Sequence, residues 1–390
     1  MQKRLILTLA AGHLFTDVSQ GALPALLPFF IATQHFSYTT ASTLVFVANL
    51  MSCVMQPVFG HLADRKSVPW IVPAGIAIAG VGVALTVVVP GYTWMLAAVA
   101  LNGLAVAAFH PEAARLIKFL SGDKKATAMS WFAVGGNLGF AVGPLLTTVC
   151  VVWFGIKGGL LIAVPGLLLS GIIIGRHREL SSIAPAAVDD CGGHSEQDRW
   201  GLFASLTATT VFRSVVFFGL NTFLALYWIG SLHQSQSAGN TALSILLFSG
   251  AAGTLIGGSL SDKFGRGRIV VGSLLLLPVL LLMLLAAHNV LVATLLLVPL
   301  GLLMTANFSP LIVMAQDFLP NHLGVASGVT YGIGASIGGV ATPFFGWVAD
   351  RYGLHVSLSW LLVVAVVTAL LASVTQYAET ASKRAAAMAG

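Results

Sequence analysis

A short charged segment occurs twice in this chain, 198 residues apart. It reads GHLADR at residues 60–65 and GSLSDK at residues 258–263. A second pair of segments, FHP at residues 109–111 and FSP at residues 308–310, repeats with almost the same spacing. Internal repeats of this length are typical of chains built from two related units. The sequence therefore predicts a tandem duplication.

The composition indicates that both units lie in a lipid bilayer. Hydrophobic residues make up 57% of the 390 residues, charged residues only 8%, and the mean hydropathy is +0.92. Soluble domains carry roughly 25% charged residues. Since a membrane-spanning helix needs about 20 apolar residues, the chain divides into twelve spanning segments. The predicted fold class is an all-α integral membrane protein with twelve transmembrane helices in two pseudo-symmetric six-helix bundles.

One long hydrophilic interval separates the two predicted bundles. We expect an N-terminal bundle over residues 1–176, a cytoplasmic interdomain linker over 177–202, a C-terminal bundle over 203–376 and a cytoplasmic tail over 377–390. Most lysines and arginines then lie on the same side of the membrane as the N-terminus. We therefore expect a multi-pass protein of a bacterial-type inner membrane, with both termini in the cytoplasm. The dispersed basic residues do not favour a nucleic-acid partner.

Polar residues in the first segment are candidates for chemistry. His13, Asp17 and Gln20 follow one helical face, with Asp17 near the middle of the segment. An ionisable side chain at membrane depth is costly and usually faces a partner or a wet cavity. We predict Asp17 as the principal proton acceptor. The alternative is a structural carboxylate that stays paired with a cation or a backbone group.

The fourth segment adds a second group of ionisable residues. It contains Phe109-His110-Pro111-Glu112, with Arg115 one turn later. His110 and Glu112 lie about 200° apart around a helix and cannot face the same point. We assign His110 to the cavity and Glu112 with Arg115 to a cytoplasmic charge cluster, although the reverse assignment is also open. The proton-coupling candidates are Asp17, His110 and Glu112.

The repeated charged segment is similar to the conserved loop motif of the major facilitator superfamily. The second copy continues as Phe264-Gly265-Arg266, whereas the first departs from the pattern after Arg65. The resemblance implies contacts at the membrane surface that break and form as the halves rock; a plain positive-inside turn is the alternative. The predicted gating and charge-cluster residues are Asp64, Arg65, Arg115, Asp262, Lys263 and Arg266.

Glycines are concentrated in the fifth and eleventh segments. Gly135, Gly136, Gly139 and Gly143 in one, and Gly334 and Gly338 in the other, predict faces on which helix backbones approach closely. The pattern partly resembles the glycine-rich fifth-helix motif of superfamily exporters. Generic helix packing explains it equally well.

Several elements together resemble the fosmidomycin-resistance exporter family. They are GHL at residues 12–14 followed by Asp17, the FHPE run with Arg115, the glycines of segment five, and Arg213-Ser214 in segment seven. The likeness implies a proton-coupled drug exporter in which Arg213 binds an anionic cargo such as a phosphonate. Alternatively, Asp17 holds Arg213 across the bundle. The predicted substrate-binding residues are His13, Gln20, Asn137, Arg213, Asn221 and Tyr331.

Three functional classes follow from these observations. The first is a proton antiporter that exports drugs by alternating access, with a role in multidrug efflux and antibiotic resistance. The second is a proton-coupled importer or facilitator of a small, possibly anionic, metabolite. A membrane enzyme or receptor is third, and the sequence has neither a nucleotide-binding loop nor a metal-binding His-Glu-x-x-His pair. The expected partners of this monomer are a small-molecule substrate, protons and the lipid bilayer, with no cofactor and no metal.

Overall fold

The computed structural model describes residues 2–65, 68–122, 125–176, 197–322, 325–326, 329–330 and 337–389, and in these ranges the chain forms helices and no β-strand. The first half contains α1 (Lys3–Gln34), α2 (Tyr38–Arg65), α3 (Ile71–Leu85), α4 (Tyr92–Leu120), α5 (Lys125–Phe154) and α6 (Ala163–Gly175). A 3₁₀ helix, Ile156–Ile162, precedes α6 and extends it to the length of a membrane crossing.

The second half repeats this plan. It contains α7 (Trp200–Gly230), α8 (Gln236–Phe264), α9 (Arg266–Ala286), α10 (Val290–Ala306), α11 (Phe308–Phe318), α12 (Thr342–Tyr352) and α13 (Leu354–Ala389). The helices α10 and α11 form one crossing that is interrupted at Asn307, and a 3₁₀ helix, Ile337–Ala341, precedes α12. The predicted architecture of twelve transmembrane helices in two six-helix bundles is confirmed.

The described residues include the end of the predicted linker, residues 197–202, and nearly all of the predicted tail. The last helix continues through residues 377–389, so the final apolar segment and the predicted tail form one helix. Most of the predicted linker, residues 177–196, lies outside the described residues. Its end packs against the second half, because the Arg199 amide donates to the carbonyl of Phe318 at 2.7 Å and Asp198 contacts His322 at 2.8 Å.

Helices α1 and α5 pack with their backbones almost in contact. A Cβ atom on Gly135 would lie 2.2 Å from the Ala10 carbonyl oxygen, and one on Gly139 would lie 2.2 Å from that of Leu14. Glycine alone leaves room for a carbonyl at this distance, as the small-residue face predicted. In the second half Gly338 packs in the same way against the backbone of Ser214, whereas Gly334 lies outside the described residues.

The two halves are joined by hydrogen bonds at the end of the molecule that carries the α1–α2 loop. The Asp350 carboxylate at the end of α12 accepts from the backbone amides of Tyr38 and Thr39, at 2.6 and 2.9 Å, at the start of α2. Nearby, the Asn240 amide of α8 donates to Thr148 of α5 at 2.9 Å. These bonds close the molecule at this end.

Candidate substrate cavity and carboxylate–histidine cluster

A cavity of about 260 Å³ lies between the two halves. This volume is close to the lower end of the range for small-molecule sites. Its polar lining comes from both halves and consists of His13, Asp17, Gln20, Ser52, Gln56, His110, Asn137, Arg213, Thr254, Thr305 and Ser309. Its aromatic lining consists of Phe140, Phe217, Phe218 and Phe308. The cavity therefore offers aromatic area together with many polar groups, which include an acidic side chain, Asp17, and a basic one, Arg213.

Three ionisable side chains meet on the wall formed by the first half. Asp17 and His13 lie one turn apart on α1, and the His13 Nε2 atom is 3.1 Å from Asp17 Oδ2. His110 reaches the same point from α4, with its Nε2 atom 3.1 Å from His13 Nε2 and 3.5 Å from Asp17 Oδ1. Asp17 is only 4% exposed, and Gln20 donates to its Oδ1 atom at 2.7 Å.

Backbone carbonyls orient both imidazole rings of this carboxylate–histidine cluster. The Nδ1 atom of His13 is 2.7 Å from the Phe132 carbonyl oxygen, and that of His110 is 2.8 Å from the Val106 carbonyl oxygen. A carbonyl only accepts, so hydrogen-bond geometry assigns a hydrogen to each Nδ1 atom. In the neutral rings, both Nε2 lone pairs then point at each other and at the Asp17 carboxylate. The arrangement is suited to holding a cation or a shared proton.

Gly136 on α5 has no side chain and so leaves room for the cluster. A Cβ atom on Gly136 would lie 2.4 Å from His13 Nε2 and 2.7 Å from Asp17 Oδ2. One turn earlier, the Phe132 ring stacks on the His13 ring with a centroid distance of 4.1 Å. The Phe132 ring and the space left free at Gly136 together allow His13 to lie against Asp17.

Arg213 lies in the wall formed by the second half and is buried. Its guanidinium donates to the side-chain oxygen of Asn307 and to the Met304 carbonyl at 3.1 Å, and lies over the Phe308 ring. Among the described residues no carboxylate lies within ion-pairing distance of it, and Asp17 pairs with histidines instead. Thus the alternative in which Asp17 holds Arg213 does not occur in this structure.

Glu112 is separated from His110 by the helical geometry. Arg115 donates to Glu112 at 2.9 Å, and the Val68 amide donates to the same carboxylate at 3.2 Å. Neither Glu112 nor Arg115 lines the cavity. The pair instead connects α4 to the segment between α2 and α3.

The residues of the two charged segments have separate positions. The side chains of Asp64 and Arg65 lie outside the described residues, as does Tyr331. In the second copy, Asp262 is exposed and Lys263 lies over the Phe264 ring. Arg266 pairs with Asp317, which joins the start of α9 to α11.

Asn221 lies beside the cavity, in a narrow space that Gln20 and Asn49 also line. Its amide oxygen is buried and accepts no hydrogen bond from the described residues. Sequence reasoning missed Gln56, Ser52 and the four aromatic residues of the cavity. Gln56 could have been found, because it is a polar residue inside an apolar helix. The aromatic residues could not, because in sequence a cavity-facing aromatic residue is indistinguishable from any other in a membrane helix.

Comparison with known proteins agrees with this architecture. An uncharacterized MFS-type transporter, YfnC, of Bacillus subtilis is 27% identical over 95% of this chain and 93% of its own. The fosmidomycin resistance protein of Escherichia coli is 28% identical over 89% and 86%, and a probable hexose phosphate transport protein of Chlamydia pneumoniae is 23% identical over 68% and 65%.

A solved structure of a bacterial homolog of the human lysosomal transporter Spinster, in an inward-facing and occupied conformation, superposes with a TM-score of 0.79. It is 16% identical and covers 96% of this chain and 97% of its own. The family model of the Major Facilitator Superfamily matches residues 9–343. The chain is therefore a membrane transporter that belongs to the major facilitator superfamily.

Proposed function

We propose that this protein is a proton-coupled secondary transporter that exports small molecules from a bacterial cell in exchange for protons. The carboxylate–histidine cluster in the wall of the central cavity is the observation that carries this proposal. A buried carboxylate next to two imidazoles has proton acceptors within hydrogen-bond distance and access to the cavity. Such a group can take up a proton on one side of the membrane and release it on the other.

Asp17 can be ionised or protonated, and groups on three helices face it. His13 on α1, His110 on α4 and Gln20 contact it, and α5 contributes the glycine surface at Gly136. Arg213 of α7 lines the same cavity from the wall formed by the second half. Protonation of Asp17 removes its negative charge from the cavity wall. We propose that the two states differ in their affinity for cargo: exchange requires tighter binding to the deprotonated state, whereas uptake together with protons requires tighter binding to the protonated state.

The position of the contacts between the halves supports a proposal of alternating access. Under the positive-inside orientation, both termini are cytoplasmic and the end closed by Asp350 and Asn240 faces outward. We propose that rocking of the halves breaks these contacts and opens the cavity on the outer side of the inner membrane. Glu112 and Arg115 would hold the α2–α3 segment during this motion, and Arg266 with Asp317 would hold the corresponding end of the second half.

The cargo class is proposed from Arg213 and from the relatives. A buried guanidinium that pairs with no carboxylate of the described ranges favours an anion in the cavity. The Escherichia coli relative is named for resistance to fosmidomycin, and we propose a small anionic drug of this kind as cargo. The hexose phosphate transport relative favours a second candidate, proton-coupled uptake of a small anionic metabolite.

Flux measurements in proteoliposomes test this function. An imposed pH gradient should drive fosmidomycin across the membrane in the wild type, and Asp17→Asn should abolish this flux with normal reconstitution. Asp198→Asn is the matched control, since that carboxylate also pairs with a histidine but lies outside the cavity. Unchanged gradient-driven flux in Asp17→Asn would refute the assignment, and the direction of flux relative to the gradient separates export from uptake.

A further inference from the structure

The atoms of the carboxylate–histidine cluster are arranged like the ligands of a transition-metal ion. We propose that His13, Asp17 and His110 form a binding site for a divalent transition-metal ion such as Zn²⁺, and that the bound ion blocks transport. The binding part of this proposal is independent of the transport mechanism. The block rests on the proposed function, because it requires the cluster to act in transport.

The separations between the three side chains match the edges of a coordination polyhedron. Zinc binds histidine nitrogen at about 2.0–2.1 Å, so neighbouring ligand atoms are about 3.3–3.4 Å apart in a tetrahedral site and about 2.9 Å apart in an octahedral one. The two Nε2 atoms are 3.1 Å apart; that of His13 lies 3.1 Å from Oδ2 of Asp17 and that of His110 lies 3.5 Å from Oδ1, so both carboxylate oxygens face the site. One ligand atom of each side chain lies within 4.8 Å of the other two, so modest side-chain adjustment brings all three to one ion.

The surroundings of the three ligands are those of a metal site. Metal-binding histidines usually donate their second N–H group to a carbonyl or carboxylate, which directs the other nitrogen at the ion. Here the carbonyls of Phe132 and Val106 receive the Nδ1 atoms. Gln20 in turn holds the Asp17 carboxylate at 2.7 Å. Both Nε2 atoms are thus already directed at one point.

The ligand set selects the class of metal. Two imidazoles and one carboxylate suit Zn²⁺, Co²⁺ or Ni²⁺, whereas Mg²⁺ and Ca²⁺ prefer oxygen ligands alone. All three side chains line the cavity, which provides an entry path and leaves further coordination positions for water or an anionic group. In the part of the chain that the structure describes, no other group of three such side chains comes together.

Titration of the purified full-length protein in detergent tests the site. After chelator treatment, the wild type should bind one Zn²⁺ per chain by calorimetry, and excess Mg²⁺ should not compete. His13→Gln and His110→Gln should each weaken binding by more than about tenfold, because even the loss of an outer-shell partner costs that much. The control is His322→Gln, which removes a histidine that also contacts a carboxylate, Asp198, but has no third ligand. Equal affinity in all four proteins would overturn the site.

Two further measurements keep the proposal falsifiable if a glutamine variant folds poorly. Co²⁺ bound to the wild type should give visible absorption bands of a histidine-ligated ion, and Zn²⁺ should displace them. In proteoliposomes, Zn²⁺ at saturating concentration should stop flux in the wild type and in His322→Gln; undiminished flux would overturn the block. Zn²⁺ binding without any proton-driven flux would refute the proposed function and leave the site intact.

Discussion

Replacing Gly136 with alanine adds one methyl group at the centre of the site. The new Cβ atom would lie 2.4 Å from His13 Nε2, about 1 Å short of ordinary contact distance. His13 can move because the contact is at the far end of its side chain. A displacement of that size lengthens its 3.1 Å contact with Asp17 Oδ2 beyond hydrogen-bonding distance. We therefore expect Gly136→Ala to separate His13 from Asp17 while the helices stay in place.

The expected magnitude follows from the contact that is lost. When His13 is protonated, its Nε2 donates to the Asp17 carboxylate, and a hydrogen bond to a charged group contributes about 1.5–3 kcal/mol, which corresponds to roughly 10- to 150-fold in an equilibrium constant. Overpacking lowers the free energy of unfolding by about 1–3 kcal/mol. Replacing glycine with alanine in a helix raises it by about 1 kcal/mol. Gly136→Ala should thus reduce proton-coupled flux at least about tenfold and lower the free energy of unfolding by about 0–2 kcal/mol.

Two other glycines provide the controls for this experiment. Gly171 on α6 has no heavy atom within 4 Å of its would-be Cβ, so Gly171→Ala should leave both flux and stability near wild type. On Gly139 the Cβ would lie 2.2 Å from the Leu14 carbonyl oxygen, a backbone atom that cannot move alone. Gly139→Ala should therefore force α1 and α5 apart and lower the melting temperature clearly.

The assay combines flux in proteoliposomes with thermal unfolding in detergent. Normal proton-coupled flux in Gly136→Ala would show that the contact between His13 and Asp17 is not needed, and would refute the reasoning. A drop in melting temperature as large as that of Gly139→Ala would assign Gly136 to helix packing alone.

Two other contacts lead to predictions outside the cluster. Arg213→Ala should weaken binding of an anionic cargo at least about tenfold, because a charge-assisted hydrogen bond is lost; equal loss for a neutral cargo in the same flux assay would assign Arg213 a structural role. Asp350→Asn removes the negative charge and one of the two acceptor oxygens that face the start of α2. This should destabilise the contact between the halves by about 1–2 kcal/mol and raise the outward-open population roughly 5- to 30-fold. Spin-label distances across that end measure this shift, with Arg351→Gln as the control; an unchanged distance distribution in Asp350→Asn would contradict the prediction.

The local sequence pattern was sufficient to predict much of the fold and part of the site. Apolar length predicted the twelve crossings, since lipid requires backbone groups to be satisfied within each helix. The spacing of His13 and Asp17 placed them on one face, and the two-residue step from His110 predicted that Glu112 points elsewhere. Glycines in segment five indicated the close approach of α1 and α5.

Tertiary structure decided which faces meet. Helical periodicity gives a face but no neighbour, and lipid provides no hydrophobic force that selects one, so backbone packing at small residues sets the arrangement. This packing brings His110 to Asp17 over 93 residues of chain, places Asp350 at the start of α2 and leaves Arg213 among neutral groups. The sequence by itself determined that a charged group lies in the membrane; only the packed bundle decided that two histidines, and not an arginine, accompany it.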